Sequence, residues 1–214
     1  MSTDGDGKWT GFNRVALGRP PRELLRRAVD LAELTGTTAG VAVDLGCGSG
    51  AETLALLRRG WTVHAVDSDG PSLGLLAAQV PADARQRLHL HEAPYEDFAL
   101  PRCDLVWAGF SLPFCPPAAW PALWQRIRAA LRPGGRFAGD LFGERHAFAA
   151  QGDVMVLAEA DARAPLAGLE LESFDLEDGV RPSGGGVTRW HAFGVIARVR
   201  SGVPSDMPAD PAAG

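Results

Sequence analysis

The chain has 214 residues, 46% of them apolar and 22% charged, with a net charge of −5. That is enough for one globular domain with a full core and little more. The acidic balance speaks against a nucleic-acid or anionic-membrane surface, because phosphate binding needs a basic face; no apolar run reaches the ~18 residues of a membrane helix.

Residues 1–8 and 201–214 are rich in Gly, Pro, Ser, Asp and Ala and read as disordered tails. The first of them lacks the apolar stretch of a signal peptide. Residues 9–36 form an N-terminal arm and helix. Within them, 9–21 mixes Trp9 and Phe12 with turn residues, as an irregular lid would, and 22–35 carries Leu24, Leu25, Ala28, Leu31 and Ala32 at helical spacing. Strands and helices then alternate: strand about 41–45, helix 50–59, strand 62–66, helix 71–79, strand 87–91, strand 103–108, helix 117–131, strand 135–142. A less regular stretch runs to about 168, and two β-like segments at about 169–178 and 188–199 flank a glycine-rich loop at 181–186. The alternation predicts a single α/β domain over 9–200: a doubly wound, mostly parallel, seven-stranded sheet with a C-terminal antiparallel hairpin. Cys47, Cys103 and Cys115 are widely spaced and form no CxxC pair, as expected of reduced thiols in the cytoplasm.

The densest signal is Val41-Ala-Val-Asp44-Leu-Gly46-Cys47-Gly48-Ser49-Gly50, an apolar strand entering a turn with glycine at every second position. Glycine allows φ > 0 and lets a ligand lie against the backbone. The free N–H groups at the start of the next helix point at that ligand. A second strand ends in another acid, Asp67. This is how an open α/β sheet holds a nucleoside at the carboxyl ends of its strands. The spacing is G-x-G-x-G, not the dinucleotide G-x-G-x-x-G, and an acid two residues upstream would repel a pyrophosphate.

The run Asp44–Gly50 resembles the first motif, D/E-x-G-x-G-x-G, of the class I S-adenosylmethionine (SAM)-dependent methyltransferases. Cys103–Ala108 followed by Gly-Phe-Ser-Leu-Pro-Phe is similar to that family's fourth-strand motif, and Leu131–Phe137 to its LxPGGxF turn. Trp190-His191-Ala192-Phe193 with Val195–Arg198 resembles the end of small bacterial members, similar to the type 11 and tellurite-resistance-like enzymes. The resemblance implies a Rossmann-like fold and a cofactor site. Gly46, Cys47, Gly48 and Gly50 would pack against the methionine part of SAM, and Asp67, with Ser68 beside it, would take the ribose hydroxyls. Asp44 would set the glycine loop or approach the methionine ammonium, and Ala108 would end the strand facing the methyl group. Relatives place an aspartate-alanine pair before the fourth strand to read adenine; here proline takes that place, leaving the Tyr95 N–H and the Glu96 carboxylate as the adenine contacts, or Glu96 as a solvated loop acid.

Methyl transfer from a sulfonium asks the protein for orientation and exclusion of water, and for a base when the acceptor is protonated. His191 and His146 are the histidine candidates for that base, although a lone histidine is commonly structural, as His64, His89 and His91 are expected to be. Trp107, Phe110, Leu112 and Phe114 are expected to wall an acceptor pocket, Trp107 equally fitting the core, with Trp9 and Phe12 closing over it. Arg19 or Arg22 could meet a carboxylate. No metal-ligand cluster is evident. The expected function is in-line transfer of the sulfonium methyl to a small molecule, with S-adenosylhomocysteine (SAH) as product. The alternative is a SAM- or SAH-binding protein of the same fold that catalyses a non-methylating step such as cyclisation. A monomer or homodimer in the cytoplasm, with neither nucleic acid nor membrane as partner, completes the expectation.

Overall fold

A computed structural model describes residues 8–183 and 186–202. The expected tails at 1–7 and 203–214 lie outside the described residues. In chain order the elements are α1 (Lys8–Val15), α2 (Glu23–Leu34), β1 (Val41–Leu45), α3 (Ala51–Arg58), β2 (Thr62–Asp67), α4 (Gly70–Gln79), β3 (Leu88–Glu92), β4 (Cys103–Ala108), α5 (Trp120–Ala130), β5 (Leu131–Gly143), β6 (Val156–Leu157), α6 (Glu159–Arg163), β7 (Glu170–Ser183) and β8 (Gly186–Arg198).

The sheet runs β3-β2-β1-β4-β5-β8-β7, with the two-residue β6 pairing β5 off that path. β3 to β5 are parallel, and β8 joins β5 antiparallel, Phe142 opposite Ala192 and Asp140 opposite Gly194. The order reverses between β1 and β4, the switch point at which open α/β sheets bind ligands.

Adjacent strand residues point to opposite faces, and both faces are covered, so the inner strands are mostly apolar. Val43, Leu45, Val106 and Phe137 pack with Leu123, Trp124 and Ile127 of α5 on one face. Ala42, Val63, Leu105, Trp107 and Ala138 pack with Leu25, Ala28 and Val29 of α2 and Leu56 of α3 on the other.

Three expectations need correction. The arm at 9–21 contains a helix, α1, held by tertiary bonds: the Thr10 hydroxyl donates to Asp69 (2.6 Å) and the Asn13 amide to Ser72 (2.8 Å). The turn expected at Leu131–Phe137 before the fifth strand is a bulge inside β5, with Leu131 already opposite Cys103 before Arg136 pairs with Leu105. The hairpin strands reach Ser183 and Gly186, so the loop expected at 181–186 is far shorter.

Candidate functional site

The glycine turn lies at the switch point. Gly46, Gly48 and Gly50 have φ of 72°, 52° and 83°, the left-handed region that side chains disfavour. A Cβ on residue 48 would stand 2.6 Å from Asn13 Oδ1, and Cβ atoms on 46 and 50 would collide with Ser111 and Leu76. The N–H groups of Gly46 and Cys47 donate to the Val66 carbonyl (2.8 and 3.1 Å), which fastens the turn to β2.

The two acids do different work. Asp67 accepts the Gly48 N–H at one oxygen (2.7 Å) and the Asp69 N–H at the other (2.9 Å), and burial raises its pKa against those bonds. Asp44 is 1% exposed and accepts the Thr53 hydroxyl (2.6 Å) in the first turn of α3. Burial first, then the neighbouring Glu52 charge, pushes its pKa up to about 7. That bond ties the end of β1 to α3 on the far side of the glycine turn. Asp69 caps α4 through the Ser72 N–H (3.1 Å), while Ser68 is exposed.

Loops from two further strands close on the turn. The Ser111 hydroxyl after β4 donates to the Leu45 carbonyl (2.5 Å), and the Tyr95 hydroxyl donates to the Ser111 carbonyl (2.7 Å). Tyr95 therefore contributes its phenol as a clamp, and the Glu96 carbonyl accepts from Arg126. Across the turn lies α1, with Trp9 edge-on to Phe114 at 4.8 Å. Arg19, in the following loop, binds Glu52 with both guanidinium nitrogens (2.7 and 2.5 Å). A cavity of about 270 Å³ beside the turn is lined by Gly18–Pro21, Ser49, Ala51, Leu54, Arg58 and Gln79.

The expected pocket wall divides. Phe110 and Phe114 join Phe142, Phe148 and Trp190 in an aromatic cluster over the end of β5. Trp107 (1% exposed) and Leu112 are buried in the two main cores, so packing, the second of the two readings of Trp107, is where it is found. Ala108 is fully buried at the strand's end, and Phe12 is 61% exposed.

Both candidate histidines are buried and engaged. His146 Nδ1 accepts the Phe148 N–H (3.1 Å), which puts the proton of the neutral ring on Nε2, and burial lowers its pKa. As a neutral ring it offers a donor rather than a base. His191 Nδ1 accepts the Arg145 N–H (3.1 Å), and its Nε2 faces the Arg145 guanidinium at 3.1 Å. Sequence reasoning passed over Asp140, 7% exposed on β5, with a pKa that burial pushes up to about 7. Its only signal was a lone acid within the otherwise uncharged run Phe137–Phe142.

A doubly wound sheet with a glycine cradle and an acid after β2 defines a nucleoside-cofactor protein. Residues 42–135 match the family described as "Methyltransferase domain". Over that stretch, a little under half of the chain, the sequence is similar to the class I SAM-dependent methyltransferases. It is 35% identical over 102 residues to the carboxy-S-adenosyl-L-methionine synthase of Geobacter metallireducens, covering 43% of this chain and 40% of that protein. It is 37% identical over 87 residues to the magnesium-protoporphyrin O-methyltransferase of Rhodobacter capsulatus, covering 40% and 39%. The chain thus matches about two fifths of the length of these curated relatives. The N-methyltransferase NodS of Bradyrhizobium japonicum WM9, solved with SAH, shares the fold at a TM-score of 0.64 and 16% identity, over 86% of this chain and 90% of that one.

Proposed function

We propose that this chain binds SAM in the cradle at 46–50 and directs its methyl group to a small-molecule acceptor, releasing SAH. The observation that carries this reading is Asp67: a largely buried carboxylate, held by the Gly48 and Asp69 N–H groups, whose two oxygens keep lone pairs for two vicinal hydroxyls. The glycines fit the same group, since bare backbone at 46, 48 and 50 admits a ligand that side chains would displace. When bound, the cofactor supplies an activated methyl on a sulfonium. The protein's share is then placement and exclusion of water. Ser111 and Tyr95 fix the β4 loop over the turn, and α1 covers it from outside. The aromatic cluster at Phe110, Phe142 and Trp190 gives the acceptor side an apolar wall.

The test is transfer of labelled methyl from SAM to a panel of phenols, thiols, amines and carboxylates. The reading expects label on at least one class. Bound SAM with no transfer to any of them would contradict the transferase half of the reading.

A further inference from the structure

A buried polar atom without a partner bears its full desolvation cost, so such atoms are few and ask for an explanation. Among the described residues seven side-chain atoms qualify, and four of them, Arg22 Nε, Asp140 Oδ2, His146 Nε2 and Trp190 Nε1, border one patch of sheet. The patch is the face of β5 and β8 beneath the N-terminus of α2. Its floor is made of small residues: Gly194 lies opposite Asp140, and Ala192 opposite Phe142. The roof is Leu24, 3.5 Å from where a Gly194 Cβ would stand.

Three of the four side chains are linked through rings. The Arg22 guanidinium lies 4.4 Å over Phe110, Phe110 meets Trp190 edge-on at 5.2 Å, and Trp190 meets His146 edge-on at 4.8 Å. Phe110 carries the second, independent observation. Its φ of 54° is the one positive value outside glycine among the described residues. A bulky side chain there stores strain, and such strain gathers at binding sites. Arg22 lies close enough to Asp140 to stabilise its charge, yet the two form no hydrogen bond or ion pair among the described residues. A buried acceptor and a buried donor therefore stand unpaired within electrostatic reach of each other, near an aromatic wall. Arg181, 4.5 Å over the Trp190 ring, and Glu177 add one charge of each sign, so the patch as a whole favours a neutral ligand.

We infer that this patch is the acceptor subsite and takes a flat heteroaromatic ring bearing a hydrogen-bond donor next to an acceptor, such as a lactam or a hydroxylated nitrogen ring. The inference rests on the methyltransferase reading above. The ring stacks in the aromatic cluster. Its N–H or O–H points at Asp140 Oδ2, its adjacent acceptor at Arg22 Nε, and further acceptors at Trp190 Nε1 and His146 Nε2. In the transfer, the ring N or O lone pair forms the bond to the methyl carbon, the C–S bond breaks with its electrons left on sulfur, and the ring proton passes to the Asp140 carboxylate. Burial, which holds the Asp140 pKa up to about 7, suits a group that takes and returns a proton near neutrality.

The test is ligand-detected saturation-transfer NMR on the full chain with 2-hydroxypyridine, uracil and hypoxanthine, with toluene as the apolar control, alongside SAH titration of the same samples. At least one of the three rings is expected to bind saturably and more tightly than toluene. Asp140→Asn, and separately Trp190→Phe, which keeps the ring and removes the N–H, are expected to weaken that ring at least about tenfold while SAH affinity holds. Normal SAH binding with none of the three rings bound, or with ring affinity unchanged in both variants, would overturn the subsite. Absence of SAH binding in the wild-type chain would overturn the underlying methyltransferase reading, and the subsite's role with it.

Discussion

Asp140 and Asp44 are carboxyls inside an apolar layer, and each has its pKa pushed up to about 7 by burial. Between the unfolded value near 3.8 and that figure, the folded chain holds a proton that the unfolded chain has released. Their contribution to stability is therefore fully present below pH 3.8 and lost as pH rises through 7. Asp140→Asn removes the titration at one site. Urea unfolding of the ligand-free variant should show a gain over wild type on the order of 4 kcal/mol at pH 8, shrinking towards zero at pH 4. An equal difference at both pH values would mean that Asp140 is ionised throughout. A carboxylate kept at such cost fits a functional group, and the sequence did not mark it. Asp44 and Asp67 are legible because they frame a glycine pattern with one geometric meaning. Asp140 sits in Arg136–Phe142 with no motif around it, and its character comes from α2 and β8, which are remote in sequence.

At the scale of elements, the hairpin is anchored by a buried ion pair. Arg136 on β5, 1% exposed, holds both Glu172 oxygens (2.7 and 2.8 Å) and the Thr35 hydroxyl (3.1 Å), joining β5, β7 and the end of α2. Glu172→Ala strands a buried guanidinium and should cost about 3–5 kcal/mol in chemical denaturation, whereas replacing both partners with apolar residues should cost less. The sheet edge carries a second device. His64 on β2 lies against His89 and His91 on β3, with His64 Nδ1 3.0 Å from His91 Nε2. Burial, and then the two neighbours, lower the His64 pKa to about 4. The unfolded chain takes up a proton from about pH 6.5 that the folded chain refuses, so this contribution is complete above 6.5 and lost as pH falls towards 4. His64→Phe, which keeps a ring, should flatten that acid-side loss in urea titrations; an unchanged slope would refute it. Strands and helices between 41 and 142 were legible from alternation alone, because both faces of each inner strand are covered. The helix α1 was hidden because Gly11 interrupts it and its apolar Phe12 and Val15 face outward; polar Thr10 and Asn13 hold it, bonding Asp69 at the cap of α4 and Ser72 within it.

At the scale of the whole molecule, the parallel half and the antiparallel half of the sheet divide the work. The parallel half brings the glycine turn, Asp44 and Asp67 to the switch point. The antiparallel half brings Asp140, Trp190 and the aromatic cluster to the neighbouring face, with β4 and its strained Phe110 between them. The first half has a local sequence signature, and so the cofactor end was readable. The second is assembled from α2, β5 and β8, and so the patch around Asp140 was not. The cofactor reading rests most directly on Asp67, and titration calorimetry of SAH into the full chain tests it. The account predicts one SAH bound per chain, with affinity lowered about tenfold or more in Asp67→Ala at unchanged fold. No SAH binding to the wild-type chain, or equal affinity in the variant, would contradict it.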